Sequence, residues 1–590
     1  MSNNKNKQLS ERFNGFKGLD LSSPIGSERL SEFRNFKLLS DGSALKRGGF
    51  RYLSTLDGEA RGEIAYADGG ENVILAAVGN RLCRVSATDG SVSSAEVFST
   101  SEGCVKFFCA LGELYVYENG RFYVYAGGCQ LHECTPYVPL YGKHWAVNRE
   151  PGEVNEPFNM LSPRIRINYV GDSVRPELLK IGMKIKSVDG IICDDSVYTA
   201  DRKDLFRLSE DRMGIVCYNW SVYQTATVYL TLDVDDNKFP DFDACERVDV
   251  FDAFGDTRAF AYGNGSGRVY VSKPISDSEL KEPSLFYDKL TTLYFPKNEP
   301  QEFSGAERIT STCRMYDRML FFSEHRAWAT DSLQGDAGRE RSHLLLGTVS
   351  NNAGCSSNDG LVLVGGANPV TVSADGINKW SIDSEFEEAM TLTPLSQKVR
   401  ALLDGDFLKN ALVAYNRGEN EIWFANAASQ NGEVLVYNCE SRAWYLYDGI
   451  NADKLFEVGN TLAFRNGNSY YLFDGEEGYD VFEWGEREIE AVIESATFDF
   501  QAPDQKKYIG RVYLTCDLDG GSAELKIADG ETLARTRVDG TKASDFRGSI
   551  DFFDLKMRTG RTERVRFRIT ASGRQRQRIF SAIFFAKERN

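Results

Sequence analysis

Short apolar runs, some alternating and some continuous, recur along the chain between clusters of Gly, Asn and Asp. Asn72–Val78 (NVILAAV) is followed by a turn at Gly79–Asn80 and then by Arg81–Val85. Glu113–Tyr117 (ELYVY) is followed in the same way by Arg121–Tyr125 (RFYVY). Later pairs are Met319–Phe322 with Arg326–Ala329, Glu421–Phe424 with Val434–Tyr437, and Thr461–Phe464 with Ser469–Phe473. β-branched and aromatic residues flanking a tight turn predict antiparallel hairpins. Helical periodicity is rare: Pro394–Leu403 (PLSQKVRALL) carries it, and Ser276–Lys281 does so more weakly.

Where nothing intervenes, successive hairpins start about 40 residues apart, the repeat length of a propeller blade. The pattern therefore predicts an all-β chain built on a β-propeller. Two stretches break the rhythm. Residues 135–243 hold longer extended segments and read as an inserted β domain. Residues 487–590 alternate strongly (Ile489–Phe498, Arg511–Leu514, Arg564–Ile569, Ile579–Phe585), as in a β-sandwich. Blades are then expected over 52–134 and 244–486. Residues 1–51 lack sustained periodicity and read as an extended arm. Phe13, Phe16, Leu19, Phe33 and Phe36 would be poorly used in solvent, so the arm is expected to add a strand to the propeller or to reach a neighbouring subunit.

Composition narrows the class. With 590 residues, 42% hydrophobic and 26% charged, the chain has the make-up of a globular protein with several domains. No apolar run approaches the ~18 residues that cross a bilayer, and Met1–Phe13 has no apolar signal region. No membrane association and folding in a cytoplasm are expected. Twelve Cys are too sparse for a disulfide framework, and several, such as Cys109, Cys217 and Cys516, lie in apolar runs, so buried thiols are expected. The net charge of −17 is unevenly spread: residues 1–51 carry +5 and residues 556–590 carry +9, leaving −31 between them. An acidic body disfavours sequence-specific nucleic-acid reading, which needs a basic footprint. It would suit the wall of a channel along which DNA slides.

Candidate chemistry is thin. Asp233, Asp235, Asn237 and Asp241 occupy positions 1, 3, 5 and 9 of a calcium-type loop. However, Lys238 stands at the turn position and Ala244 at the closing one, and a solvated acidic linker explains the same residues. Cys104, Cys109, Cys129, His132 and Cys134 are close in sequence, but Cys109 lies in a strand-like run (VKFFCAL) rather than a zinc knuckle. Gly263–Gly267 precedes a strand instead of a helix, which makes it a turn and not a phosphate cradle. The four His (132, 144, 325, 343) lie outside any nucleophile or metalloprotease motif, so no catalytic residues are expected and no resident cofactor. Trp380, Trp423 and Trp444–Tyr447 are expected to pack between sheets rather than line a sugar groove. Arg564, Arg566 and Arg568 share one strand face. With Arg574, Arg576 and Arg578 they form a basic edge suited to carboxylate pairing, to docking, or to solvation.

A resemblance adds to this reading. Phe13, Gly15, Phe16, Gly18 and Leu19 open the chain, Asn35 follows, and Lys46-Arg47-Gly48-Gly49-Phe50 ends the segment. Further pieces come in order: Glu156–Pro163, Tyr294–Pro296, Tyr316–Phe322, Asp375–Trp380, Val436–Asn438 with Trp444–Asp448, and Lys506–Tyr508. Their succession resembles the propeller-type tail proteins of bacteriophages, and is similar to the tail nozzle (tail tubular protein B) and packaged-DNA stabilisation proteins. The resemblance implies a structural virion protein, made in the host cytoplasm. It would form a homo-oligomeric ring, expected to be a hexamer. Its partners would be tail adaptor or portal-side proteins, tail fibres, and packaged DNA held without sequence-specific contacts. The alternative is a carbohydrate-binding or carbohydrate-cleaving propeller that recognises the host surface.

Overall fold

The computed structural model describes residues 8–588 except 25–28, 142–155, 171–176, 181–182, 194–195, 200–205, 219–224, 234–238, 254–255, 277–286, 288, 298–299, 304–306, 317, 331–344, 351–352, 367, 383–389, 430–431 and 541–549. Among these residues, seven four-stranded antiparallel blades follow one another, six as separate sheets and the sixth as one end of a nine-stranded sheet that runs on through Leu30–Arg34 into the C-terminal part. The first is Ala60–Asp68, Glu71–Val78, Arg81–Ser86 and Val92–Glu96, and the second is Lys106–Ala110, Glu113–Glu118, Arg121–Tyr125 and Leu131–Glu133. The third starts at Arg247–Ala253, the fourth at Ile309–Met315, the fifth at Leu361–Val364 and the sixth at Ala411–Asn416. The seventh has only three strands of its own, Lys454–Val458, Thr461–Asn466 and Ser469–Leu472, and Arg51–Thr55 supplies its fourth.

The first strand of each sheet lies against the next sheet, and the seventh returns to the first. The ring is therefore closed, and the fold is a seven-bladed β-propeller whose last blade is completed from the N-terminal side. Closure leaves no blade face bare, which explains the continuous apolar runs. Val73, Leu75 and Ala77 point to the second blade, while Ile74, Ala76 and Val78 point to the seventh. Both sets are fully or nearly fully buried, as a strand between two sheets requires. Phe260 and Tyr262 meet Phe321 and Trp328 between blades three and four in the same way.

An inserted β domain separates blades two and three. It contains one sheet of Arg164–Val170, Thr225–Leu232, Ile185–Cys193 and Ser196–Thr199, a second of Glu177–Lys180, Gly214–Cys217 and Phe206–Leu208, and its own core around Ile165, Ile191 and Val228.

The C-terminal part is a two-sheet sandwich built with the N-terminal arm. Ala491–Ser495, Arg566–Ser572, Ser522–Asp529 and Glu531–Asp539 make one sheet, and Lys507–Asp517, Asp551–Lys556 and Arg578–Glu588 make the other. The arm is folded into strands. Gln8–Asn14 and Ala44–Lys46 both pair with Arg578–Glu588, and Phe36–Leu38 pairs with Ala44–Lys46. Leu30–Arg34 bridges antiparallel to Ala491–Ser495 and, at Arg34↔Leu446, parallel to the last strand of blade six. The closing strand Arg51–Thr55 begins at the last residue of the arm, so the first residues after 51 belong to the last blade and not the first.

The arm aromatics explain this course. Phe13 is 2% exposed and packs edge-on against Phe498, Phe567 and Phe584 in the sandwich core. Pro394–Leu403 is not a full helix but two 3₁₀ turns, Ser396–Lys398 and Arg400–Leu402. The α-helix lies just after it at Gly405–Lys409, where Asp404 caps the Phe407 N–H. The weaker helical expectation near Ser276–Lys281 falls mostly outside the described residues.

Candidate functional site

Arm, propeller and sandwich meet at Lys46-Arg47-Gly48-Gly49-Phe50, and each residue has a distinct task. The Lys46 side chain is wholly buried, and its Nζ donates to the Gly573 carbonyl at 2.6 Å. Burial pushes its ammonium down to about 8. The Arg47 guanidinium donates from both terminal nitrogens to Asp480, from Nε to Asn35 Oδ1 at 3.0 Å, and from Nη2 to the Asp448 carbonyl at 2.9 Å. Gly48 and Gly49 allow close backbone approach. A Cβ on Gly48 would stand 2.1 Å from the Gly475 carbonyl oxygen, and one on Gly49 would stand 1.7 Å from that of Tyr479. Phe50 places its ring against Phe464, Tyr471, Phe473 and Phe482. Asn35, in the left-handed region at φ +55°, donates from its amide to Asp448 Oδ1 and to the Glu490 carbonyl.

Beside this junction lies a cleft of ≈ 230 Å³. Blade six contributes Asn416, Glu421, Trp423 and Tyr447, blade seven Phe473, the arm Lys37 and Arg47, and the sandwich Arg576. Glu421 is 2% exposed. Its carboxyl accepts from the Trp423 indole and from the Tyr445 hydroxyl, each at 3.3 Å. Burial pushes the pKa of this carboxyl up to about 7, because few polar neighbours compensate the charge. Lys37 is paired with Glu419 at 2.5 Å, at the half-exposed rim. Arg576 donates through Nε to the Lys46 carbonyl at 2.9 Å, and burial lowers its affinity for its proton.

A second polar cavity of ≈ 280 Å³ lies among the inner strands at one mouth of the propeller axis. Its charges are paired across blades. Glu63 of blade one meets Arg465 of blade seven at 3.1 Å, and Asp359 accepts from Lys454 Nζ at 3.2 and 3.3 Å and also from Arg247. Burial pushes Lys454 down to about 7 and pushes Glu63 upward. This mouth is lined by charges of both signs.

The residues singled out from sequence lie elsewhere or in other roles. Asp235 and Asn237 of the calcium-type loop are outside the described residues. Asp233 is 3.6 Å from Lys184, and Asp241, on the short helix Pro240–Asp243, is 3.3 Å from Arg268. Among the described residues no group of three or more His, Cys, Asp or Glu is placed to hold a metal ion. Cys104 and Cys109 are exposed, the latter contrary to its apolar flanks, because its strand turns that position outward. Cys129 and Cys134 are buried, and burial pushes the Cys134 thiol up to about 12. His132 lies in the exposed fourth strand of blade two, and His144 and His343 are outside the described residues. Gly263–Gly267 forms the turn between Asp256–Tyr262 and Arg268–Val271.

Trp380 and Trp444 are core residues at 0% and 1% exposure, whereas Trp423 and Tyr447 are buried but line the cleft. The C-terminal arginines are largely satisfied within the chain. Arg566 pairs with Glu494, Arg568 with Glu32 of the arm and Glu494, Arg574 with Glu486, and Arg578 with Asp41 of the arm. Sequence reasoning passed over Glu421, Asn416 and Asp480. For Glu421 one signal was available: an acid opening a strand (EIWFA) whose every other residue is apolar.

No protein-family model matches the chain, and no curated protein matches it. Solved structures that it is similar to include the β-propeller domain of Cps50 (Swd1) from Myceliophteria thermophila. That match has 8% identity and a TM-score of 0.34, and covers 71% of this chain and 98% of that one. U3-55K matches at 8% identity and TM-score 0.32, over 72% of this chain and 98% of that one. A functionally unknown protein from Desulfotomaculum acetoxidans matches at 10% identity and TM-score 0.32, over 70% and 94%.

Proposed function

We propose that the chain is a structural protein of a bacteriophage tail, a subunit of a nozzle-like ring that helps retain and conduct packaged DNA, and not an enzyme. The observation that carries this reading is the way the arm locks sandwich to propeller. Four arm strands enter the sandwich, the next strand closes the propeller, and the buried Arg47–Asp480 pair lies at the crossing. Such interlocking suits a part that bears load between fixed neighbours. Among the residues that bear the resemblance, Asn35 and Lys46–Phe50 make the junction. They support a shared architecture with the tail proteins rather than a shared reactive site. In this reading DNA passes through the middle of the ring of subunits, past their walls, and not along the axis of one propeller, where the matched ion pairs lie.

Native mass spectrometry of the purified chain, alone and with virion proteins, tests the proposal. A closed homo-oligomer of six copies that also binds an adaptor or portal-side protein is the expected result. A chain that stays monomeric at all concentrations and binds no virion protein would overturn it.

A further inference from the structure

We propose that the cleft between blade six, the arm and the sandwich binds a carboxylated sugar ring, with the Arg576 guanidinium taking the carboxylate. This goes beyond the structural role. It assigns a ligand to a cleft that interlocking alone does not require.

The donor inventory of the cleft leads there. Arg47 has no spare capacity, since its three nitrogens are spent on Asn35, Gly48, Asp448 and Asp480. Lys37 is held by Glu419. Arg576 differs: only its Nε donates, to the Lys46 carbonyl, and its two terminal nitrogens make no hydrogen bond among the described residues, although Glu419, Glu421 and Glu476 lie near enough to act on its charge. A planar fork with two free N–H edges matches a carboxylate bidentately, a geometry an ammonium does not offer. The Tyr447 hydroxyl is likewise without a hydrogen-bond partner among the described residues, although the residue is 3% exposed and lines the cleft. The hydroxyl oxygen faces the open space of the cleft, where water or a ligand group can meet it. The Asn416 carboxamide uses its oxygen to accept from the Glu419 N–H at 3.4 Å, and its NH₂ has no partner among the described residues.

Size and wall chemistry narrow the ligand further. A cleft of ≈ 230 Å³ is on the small side for ligand pockets, which run to about 300–1,000 Å³, and suits a ligand the size of a sugar ring. Trp423, Tyr447 and Phe473 supply apolar walls that a bare inorganic anion would leave unused. Glu421, with a weak 3.3 Å bond on each oxygen, remains able to accept from a ring hydroxyl. Cation, unpaired hydroxyl, amide and carboxyl around aromatic walls thus fit a ring with hydroxyls on its edge and one carboxylate.

Isothermal titration calorimetry of the full chain with glucuronic acid, glucose and inorganic phosphate tests this. Glucuronic acid is expected to bind, with glucose and phosphate each at least tenfold weaker. Arg576→Gln is expected to weaken glucuronic acid at least tenfold. Tyr447→Phe, which keeps the ring and removes only the unpaired hydroxyl, is expected to weaken it several-fold with an unchanged melting temperature. Absence of glucuronic acid binding at tens of millimolar would overturn the proposal. So would phosphate or glucose binding as tightly, or wild-type affinity in both variants.

Discussion

Arg47 grips Asp480 with both terminal nitrogens, at 2.8 and 3.0 Å, and the two side chains are 3% and 0% exposed. Asp480 also accepts from Arg487 at 3.0 Å, so one buried carboxylate ties the arm to both strands of the hairpin Tyr479–Phe482 and Gly485–Glu488. Breaking a buried pair from one side strands the remaining charge, which typically costs about 3–5 kcal/mol. Asp480→Ala is expected to destabilise the chain by that order, and Arg47→Lys to recover little, because an ammonium cannot reproduce the two parallel bonds. Thermal unfolding of the two variants measures this. A melting temperature within a degree of wild type for Asp480→Ala would show that the junction does not depend on the pair.

The arm is expected to be part of the sandwich core and not a detachable tail. Phe13 is surrounded by Phe498, Phe567 and Phe584 at centroid distances of 5.4, 4.7 and 6.0 Å. Truncation to Ala leaves a cavity among rings that have little room to collapse, a loss of about 3–5 kcal/mol. Phe13→Ala should lower the denaturation midpoint accordingly and speed proteolysis within residues 8–46. Protease resistance equal to wild type would count against it.

At the mouth of the propeller axis, Asp359 accepts from Lys454 of blade seven and Arg247 of blade three. The carboxylate is 29% exposed and lies between two cations. Asp359→Asn leaves Lys454 and Arg247 facing each other without it. The variant is expected to be less stable than wild type below about pH 6, where Lys454 keeps its proton, and to recover as the pH rises through about 7, the value to which burial pushes Lys454 down. A pH series of melting temperatures checks the sign, and a deficit that does not shrink with rising pH would refute the assignment.

Much of the propeller was readable from the chain because hairpin turns and strand composition are local. The strands Glu71–Val78 and Arg81–Ser86 lie within a residue or so of the apolar runs Asn72–Val78 and Arg81–Val85. The arm was harder. Gln8–Asn14 carries a weak alternation, and its partner Arg578–Glu588 lies more than 560 residues away, so nothing local declares the pairing. The basic C-terminal edge had the same difficulty: Arg568 finds Glu32 and Arg578 finds Asp41, across nearly the whole chain. The cleft was the least readable part. Its residues come from three modules, and Glu421 and Tyr447 look like ordinary strand positions until blade six is closed over by the arm.

Glu421 gives the chain a pH dependence whose sign follows from burial. An ordinary glutamate titrates at 4.5 and this one at about 7, so folding favours the protonated form. The stabilisation is fully present below about pH 4.5, is lost progressively as the pH rises, and is gone above about 7. At ~1.4 kcal/mol per unit, the shift corresponds to about 3 kcal/mol. Glu421→Gln keeps the shape and the neutral state, and its amide still accepts from Trp423 or Tyr445. The variant is expected to match wild type at pH 4.5 and to exceed it in stability at pH 8, with the gap opening mainly between pH 5 and 7. Denaturant unfolding of both proteins across that range decides the matter. A constant difference would mean that Glu421 is charged in the folded chain throughout, with a compensating cation close by, and Arg576 would then be the first candidate for that partner.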